Sequence, residues 1–157
     1  RRLLPLASTG LPSFETIAVG FVESKTERPR LAQVLRRQLH EQIMVDSTTK
    51  LADAEDADIV IEAIVTSYGT DKSGSTRLRA TDQSRDAYKT NVFENTVHVD
   101  YRVIRNDTGE LAFDWRSIEG SVDFPSMPDV EMSRRGSFTR ALNEAARKMI
   151  TSLTESW

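Results

Sequence analysis

Apolar and polar positions follow two rhythms along this chain, and the changes of rhythm mark its elements. Thr16–Val22 (TIAVGFV) sets Ile17, Val19 and Phe21 on one face at a period of two, the spacing of a strand, with Gly20 as its weak point. A polar connection over 23–29 ends in Pro29. From Leu31 to Val45 the period lengthens to that of a helix. Leu31, Val34, Leu35, Leu39 and Ile43 fill one half of the helical wheel, and Arg36, Arg37, His40 and Glu41 lie outside it. Pro29 suits the first turn, with Thr26 or Glu27 near the cap. Ser47–Asp58 is polar and acidic and reads as a loop or a short helical turn. Ile59–Tyr68 (IVIEAIVTSY) is apolar on both faces at its start, as an interior strand is. Residues 69–90 are polar and read as a long loop or hairpin region.

The second half returns to a period of two. Over Val92–Arg105, Phe93, Val97, Val99, Tyr101 and Val103 point one way, and Glu94, Thr96, His98, Asp100 and Arg102 the other. Asn106-Asp107-Thr108-Gly109 has the composition of a hairpin turn. The return strand, Leu111–Phe124, starts with Leu111, Phe113 and Trp115 alternating and then changes phase to Ile118, Val122 and Phe124. Such a slip predicts a bulge near Arg116–Ser117. Ser126 and Asp129 resemble a capping box, with Pro128 in the first turn. A final helix then runs to near Trp157, its face built from Phe138, Leu142, Ala145, Met149 and Leu153, with Gly136 a point of fraying. The order β-α-β-β-β-α, with one apolar face per helix, predicts an α+β two-layer sandwich. Two helices pack on one face of a four-stranded mixed sheet, the first two strands joined by a right-handed parallel crossover. Residues 1–15 form an irregular lead-in and 16–157 a single α/β domain.

Composition narrows the function classes. The 157 residues suit one domain with one core, and zero cysteines exclude disulfides, thiolate metal sites and cysteine nucleophiles. A net charge of −3 argues against a general nucleic-acid binder. No run of apolar residues is long enough to span a membrane. The stretch Arg1–Ala7 is too short to hold a signal-peptide core, so any targeting sequence lies upstream of Arg1.

Candidate chemistry is sparse. His98 with Asp100 and Glu94 shares a strand face and offers a metal or acid–base trio, but His40 sits on another element and no third histidine exists. Cross-strand partners on a polar sheet face explain the trio as well. Asp53–Asp58 lacks a calcium-loop pattern and reads as a solvated loop, and no nucleotide-binding, nucleophile-elbow or zinc-protease motif occurs. Asn106-Asp107-Thr108 is a formal glycosylation sequon within a turn. Asp71–Lys89 stands out, with Arg77, Arg79, Arg85 and Lys89 in a basic segment of an acidic chain. Arginines there match phosphate geometry and nominate an anionic-ligand site; the alternative is a solvated loop or a charge-protected sheet edge. Arg134 and Arg135 read as surface charges.

Four segments in fixed order resemble the LptE-like family of lipopolysaccharide-assembly lipoproteins. Leu11–Val19 followed by Glu23–Pro29 is similar to the family's approach to its first helix. Ala57–Tyr68 resembles its "AD-x-VL-x-G-x-I-x-x-Y" strand, and Tyr101–Leu111 its "V-x-L-x-D-x-x-T-G-x-x-L" hairpin. Ala145–Trp157 resembles its "LA-x-x-I…L-x-x-x-W" terminus. Phe21-Val22-Glu23 departs from the usual apolar–Asn pattern, and the family's lipidated N-terminal cysteine is not in this chain. The resemblance implies two helices on a four-stranded sheet, no enzyme activity and no cofactor. It also implies a lipid anchor holding the protein on the periplasmic face of the outer membrane, and two partners: a large β-barrel translocon of the LptD type and lipopolysaccharide. Two other readings stay open: another outer-membrane-anchored periplasmic adaptor, such as an envelope-synthesis activator or secretion-channel component, and a hydrolase using His98, Asp100 and Glu94.

Overall fold

A computed structural model describes residues 14–46, 48–72, 92–125 and 130–155. The elements are β1 (Thr16–Ser24), α1 (Arg30–Val45), β2 (Lys50–Leu51), β3 (Ile59–Lys72), β4 (Val92–Arg105), β5 (Leu111–Pro125) and α2 (Val130–Thr154). The sheet has five strands in the order β2-β1-β3-β4-β5, rather than the four expected. The added strand is two residues long and falls where the polar pattern predicts a loop. Backbone pairing creates it: Thr16 lies beside Lys50 and Ile17 beside Leu51 in parallel register, and such pairing needs no apolar side chain. β1 and β3 are parallel, as the crossover requires, while β3-β4-β5 is an antiparallel meander.

Both helices lie on the same side of the sheet. Leu31, Leu35, Leu39 and Ile43 of α1 join Leu142, Met149 and Leu153 of α2 in one cluster with alternate residues of β3 and β4: Ile59, Ile61, Ala63 and Val65, then Val97, Val99, Tyr101 and Val103. Tyr101 is buried there with its hydroxyl paired to the Ser152 hydroxyl at 2.8 Å, so its polar end is satisfied inside the layer. Gly120 lets α2 approach β5 closely, because a Cβ at that position would lie 2.2 Å from the Ala141 carbonyl oxygen. The opposite face carries a small second cluster, Ala18, Ala57 and Val60.

Three local expectations are corrected. The β5 bulge lies at Asp114–Trp115, opposite Arg102, with a second shift at Ala112; the ladder from Arg116 to Pro125 is regular. Asp114 sets the position, since its carboxylate accepts the Trp115 backbone N–H at 2.8 Å. The N-cap of α1 is Pro29, with no side-chain cap. Thr26 and Glu27 are occupied elsewhere: Thr26 Oγ1 accepts the Arg28 N–H at 3.0 Å, and Glu27 accepts the Tyr68 hydroxyl. The third strand extends to Lys72, four residues past the expected Tyr68. The lead-in over 1–13, the Ser126–Asp129 capping box and the end of the chain at Trp157 lie outside the described residues.

Candidate functional site: a cleft at the start of the first helix

Two arginines flank Pro29 where the chain turns into α1, and both are exposed. Their stretch borders a cleft of about 650 Å³ lined by Glu27, Arg28, Pro29 and Arg30 on the rim, Leu31 and Val34 from α1, and Phe138, Thr139 and Leu142 from α2. The volume falls in the range of ~300–1,000 Å³ typical of small-ligand sites. Leu31, Phe138 and Leu142 behind the cleft are buried core side chains, so the surface open to solvent comes from half-buried Val34, exposed Thr139 and the polar rim. Tyr68 of β3 buttresses that rim. Its hydroxyl donates to Glu27 Oε2 at 2.6 Å, its ring meets Phe138 edge-on at 5.3 Å between centroids, and the Arg28 guanidinium lies 5.3 Å from the ring centroid. The Tyr68 hydrogen bond holds the Glu27 carboxyl below its ordinary range, with Arg28 adding to the effect. The same bond, aided by desolvation, raises the Tyr68 hydroxyl above its ordinary value. Glu27 is therefore an anion already engaged by a neighbour, and the two guanidinium groups outnumber it.

A second arrangement occupies the sheet face that the helices leave open. Arg102 donates from Nε to Glu62 Oε1 at 2.8 Å, with its Nη2 also 2.8 Å from that oxygen. Trp115, lifted by its bulge, lies over Arg102 with the guanidinium 4.8 Å from the ring centroid. Phe21 of β1 reaches toward Trp115 across the two intervening strands, with centroids 6.5 Å apart. This ion pair roofed by aromatics accounts for the exposed Trp115 and gives the open face a polar centre with an apolar edge.

The expected site residues fare unevenly. Arg77, Arg79, Arg85 and Lys89 lie outside the described residues, as do the side chains of Arg134 and Arg135. The His98 trio does not assemble. His98 Nε2 pairs with Glu119 at 3.2 Å and its Nδ1 faces the Ser67 hydroxyl at 3.2 Å, while Asp100 accepts the Ser117 hydroxyl at 2.8 Å. His98 and Asp100 are thus each engaged by neighbouring strands rather than by one another. Among the described residues no three His, Asp or Glu side chains cluster as a metal site. The acidic stretch is a loop, as expected, with one residue that does more. Asp58 Oδ2 accepts the backbone N–H groups of Glu15 and Thr16 at 2.8 and 3.1 Å, and Thr16 Oγ1 accepts the Asp58 N–H in return. Asn106 is likewise structural: its amide donates to the carbonyls of Ala54 and Ala57, both at 2.8 Å. The sequence reading missed Arg28, Arg30, Tyr68 and Phe138 as a group. The one available signal was a pair of arginines at a helix start, where acidic residues are favoured.

The model of a lipopolysaccharide-assembly family, LptE, matches residues 14–155. No curated protein matches the chain. Among solved structures, a hypothetical protein from Chlamydia trachomatis superposes with a TM-score of 0.59 at 10% identity, covering 90% of this chain and 96% of that one. A minor lipoprotein from Acinetobacter baumannii gives 0.54 at 9% identity, covering 90% and 93%. An uncharacterized lipoprotein B from Nitrosomonas europaea gives 0.52 at 11% identity, covering 92% and 87%. At these identities the likeness is one of fold. No helix among the described residues is long and apolar enough to cross a membrane.

Proposed function

The chain belongs to the LptE family of lipopolysaccharide assembly, and from that premise we propose that it is a non-enzymatic envelope lipoprotein. In this reading it works at the periplasmic face of the outer membrane as the partner of a β-barrel translocon, and it contacts lipopolysaccharide directly. The observation that carries the reading is the extent of the family match, which runs from the start of the described fold at Phe14 to the end of α2. Supporting it, the residues best placed for catalysis, His98 and Asp100, are consumed in cross-strand pairs. The basic segment with Arg77, Arg79, Arg85 and Lys89 supplies charge of the sign that lipopolysaccharide phosphates require.

Co-purification of the tagged, full-length protein from outer membranes of its host tests the partnership. A large β-barrel protein is expected in stoichiometric amount, and its absence under conditions that keep other envelope complexes intact overturns the partnership. For the ligand, Arg77→Glu with Arg79→Glu is expected to weaken lipopolysaccharide binding and flatten its salt dependence. Unchanged affinity and salt dependence remove the basic segment from the site.

A further inference from the structure

We propose that the free edge of β5 is a docking site for an extended segment of a partner protein, one whose residues alternate basic and apolar. The segment adds to the sheet as a further strand, antiparallel to β5 as β3, β4 and β5 already are to one another. Its basic residues face Glu119 and Asp123, and its apolar residues lie beside Ile118 and Val122. The proposal goes beyond the family reading and does not rest on it, because it concerns the backbone groups of one sheet edge.

The sheet ends in β2 on one side and in β5 on the other, and the two edges differ in what stays open. Along β1 the outer backbone is taken up by β2 at Thr16 and Ile17, and by the Ala52 N–H on the Ile17 carbonyl. The Arg36 guanidinium then covers the Val19 and Gly20 carbonyls at 3.3 and 2.7 Å. β5 has a single guard of this kind: the exposed Lys148 ammonium donates to the Glu119 carbonyl oxygen at 2.8 Å. A carbonyl reached in this way points away from β4. In an antiparallel ladder such outward groups recur at every second residue, so along the regular stretch from Arg116 to Pro125 those of Ser117, Ser121 and Asp123 point outward too. Among the described residues, none of these three has a partner for its outward N–H or C=O. The bulge at Asp114–Trp115 and Pro125 frame the stretch, and both are features that stop strand addition. Between them the edge is straight.

The side chains select the occupant. On the face that the helices leave open, Glu119, bound to His98 through Oε1, and Asp123 are both exposed. Asp123 stands directly opposite Glu94, which stands opposite Asp71 on the next strand. Like charges set opposite one another repel, and a cation on an added strand relieves them. On the helix side Ile118 and Val122 are half-buried, so part of each is left for an apolar neighbour. A second copy of this chain fits poorly. The α2 backbone lies over Gly120, where a Cβ would be 2.2 Å from the Ala141 carbonyl oxygen. Two-fold pairing of β5 with itself crowds two copies of α2, each about 10 Å across, above strands about 4.8 Å apart. It also brings both copies of Lys148 to one seam.

The probe is a nine-residue peptide of alternating lysine and valine, blocked at both ends and labelled with a fluorophore. Anisotropy titration against the full chain is expected to show saturable binding. Methylating the backbone nitrogens of the lysines, whose N–H groups face β5, is expected to abolish it. Methylating those of the valines, which face away, is expected to preserve it. Glutamate in place of lysine is expected to weaken binding by about ten-fold or more. Hydrogen exchange on the bound chain is expected to show new protection at the amides of Ser117, Glu119, Ser121 and Asp123. Ser121→Pro removes an outward N–H that the ladder to β4 does not use, so the strand is kept and binding is expected to be lost. Where that variant does not fold, Glu119→Lys combined with Asp123→Lys carries the test, since it is expected to reverse the preference toward the glutamate peptide. The proposal is overturned by absence of saturable binding to the unmodified chain, by equal binding of the lysine-methylated peptide, or by unchanged binding in the variants. A peptide-free dimer in sedimentation velocity that Ser121→Pro dissolves also overturns it, because the edge then belongs to a second copy.

Discussion

At the scale of single residues, the fold depends on groups whose roles their own sequence neighbourhoods do not announce. Arg36 lies outside the apolar arc of α1, yet its guanidinium donates to the carbonyl oxygens of Val19 at 3.3 Å and Gly20 at 2.7 Å. Those carbonyls belong to the place where the β1 ladder to β3 slips, between Val19 and Val22, so Arg36 supplies partners at an irregular stretch. Arg36→Met keeps the aliphatic stem and removes both bonds. It is expected to lower stability by about 1–3 kcal/mol, read as a shift of the urea midpoint with the slope unchanged. Glycines make a sharper pair. A Cβ on Gly120 would lie 2.2 Å from the Ala141 carbonyl oxygen and 2.7 Å from the Ala145 nitrogen, both backbone atoms that cannot swing aside, whereas a Cβ on Gly69 meets nothing within 4 Å. Gly120→Ala is therefore expected to destabilise by about 3 kcal/mol or more, at or above the usual overpacking range. Gly69→Ala is expected to be neutral or to stabilise by up to about 1 kcal/mol, because it restricts only the unfolded chain. Equal effects of the two substitutions in denaturant melts contradict the close approach of α2 to β5.

At the scale of elements, periodicity made the helices and long strands legible because burial wrote them into the chain. Leu31, Leu35, Leu39 and Ile43 repeat at helical spacing and are the buried apolar residues of α1, and Val97, Val99, Tyr101 and Val103 alternate because one face of β4 is covered. What escaped was written in backbone and polar contacts. β2 has two exposed residues and exists through pairing alone. The β5 bulge sits two residues before the apolar phase change because an Asp114 side-chain hydrogen bond fixes it. The helix–helix contact also contains a polar pair that no periodicity marks. Gln38 is buried, and its Oε1 accepts from the Asn143 amide at 2.7 Å. Asn143→Ala leaves that acceptor buried and unpaired, at an expected cost of about 1–3 kcal/mol, while replacing both residues with Leu is expected to recover much of the loss. A double-mutant cycle measures the coupling. A value near zero would mean that the pair does not join α1 to α2, against an expected coupling of about 0.5–3 kcal/mol.

At the scale of the whole molecule, the sheet and both helices share one contiguous core, and the candidate cleft is assembled from chain segments far apart in sequence. Glu27 meets Tyr68 across a separation of 41 residues, and Phe138 arrives from the last helix. No local pattern encodes such a meeting, which is why the cleft emerged only with the fold. One core also implies one cooperative unfolding transition, so a titrating group that differs between folded and unfolded states moves the stability of the whole. His40 is such a group. Burial in α1, followed by the nearby Arg36 charge, holds its imidazole below its ordinary value of 6.5. Below that value the unfolded chain binds the proton more readily than the folded one, so ∂ΔG/∂pH is positive there. The His40 contribution is complete above pH 6.5, declines as pH falls from there toward the lowered folded value, and is level below it. Glu27 and Glu144, both lowered from 4.5 by hydrogen bonds, act in a separate window: their contributions hold above that value and fade as pH falls below it. Stability measured by urea melts is thus expected to fall in two stages on acidification, with the first stage abolished in His40→Gln and the second retained. A first stage that survives His40→Gln assigns it to another group and contradicts the partial burial of His40 in α1 as its source.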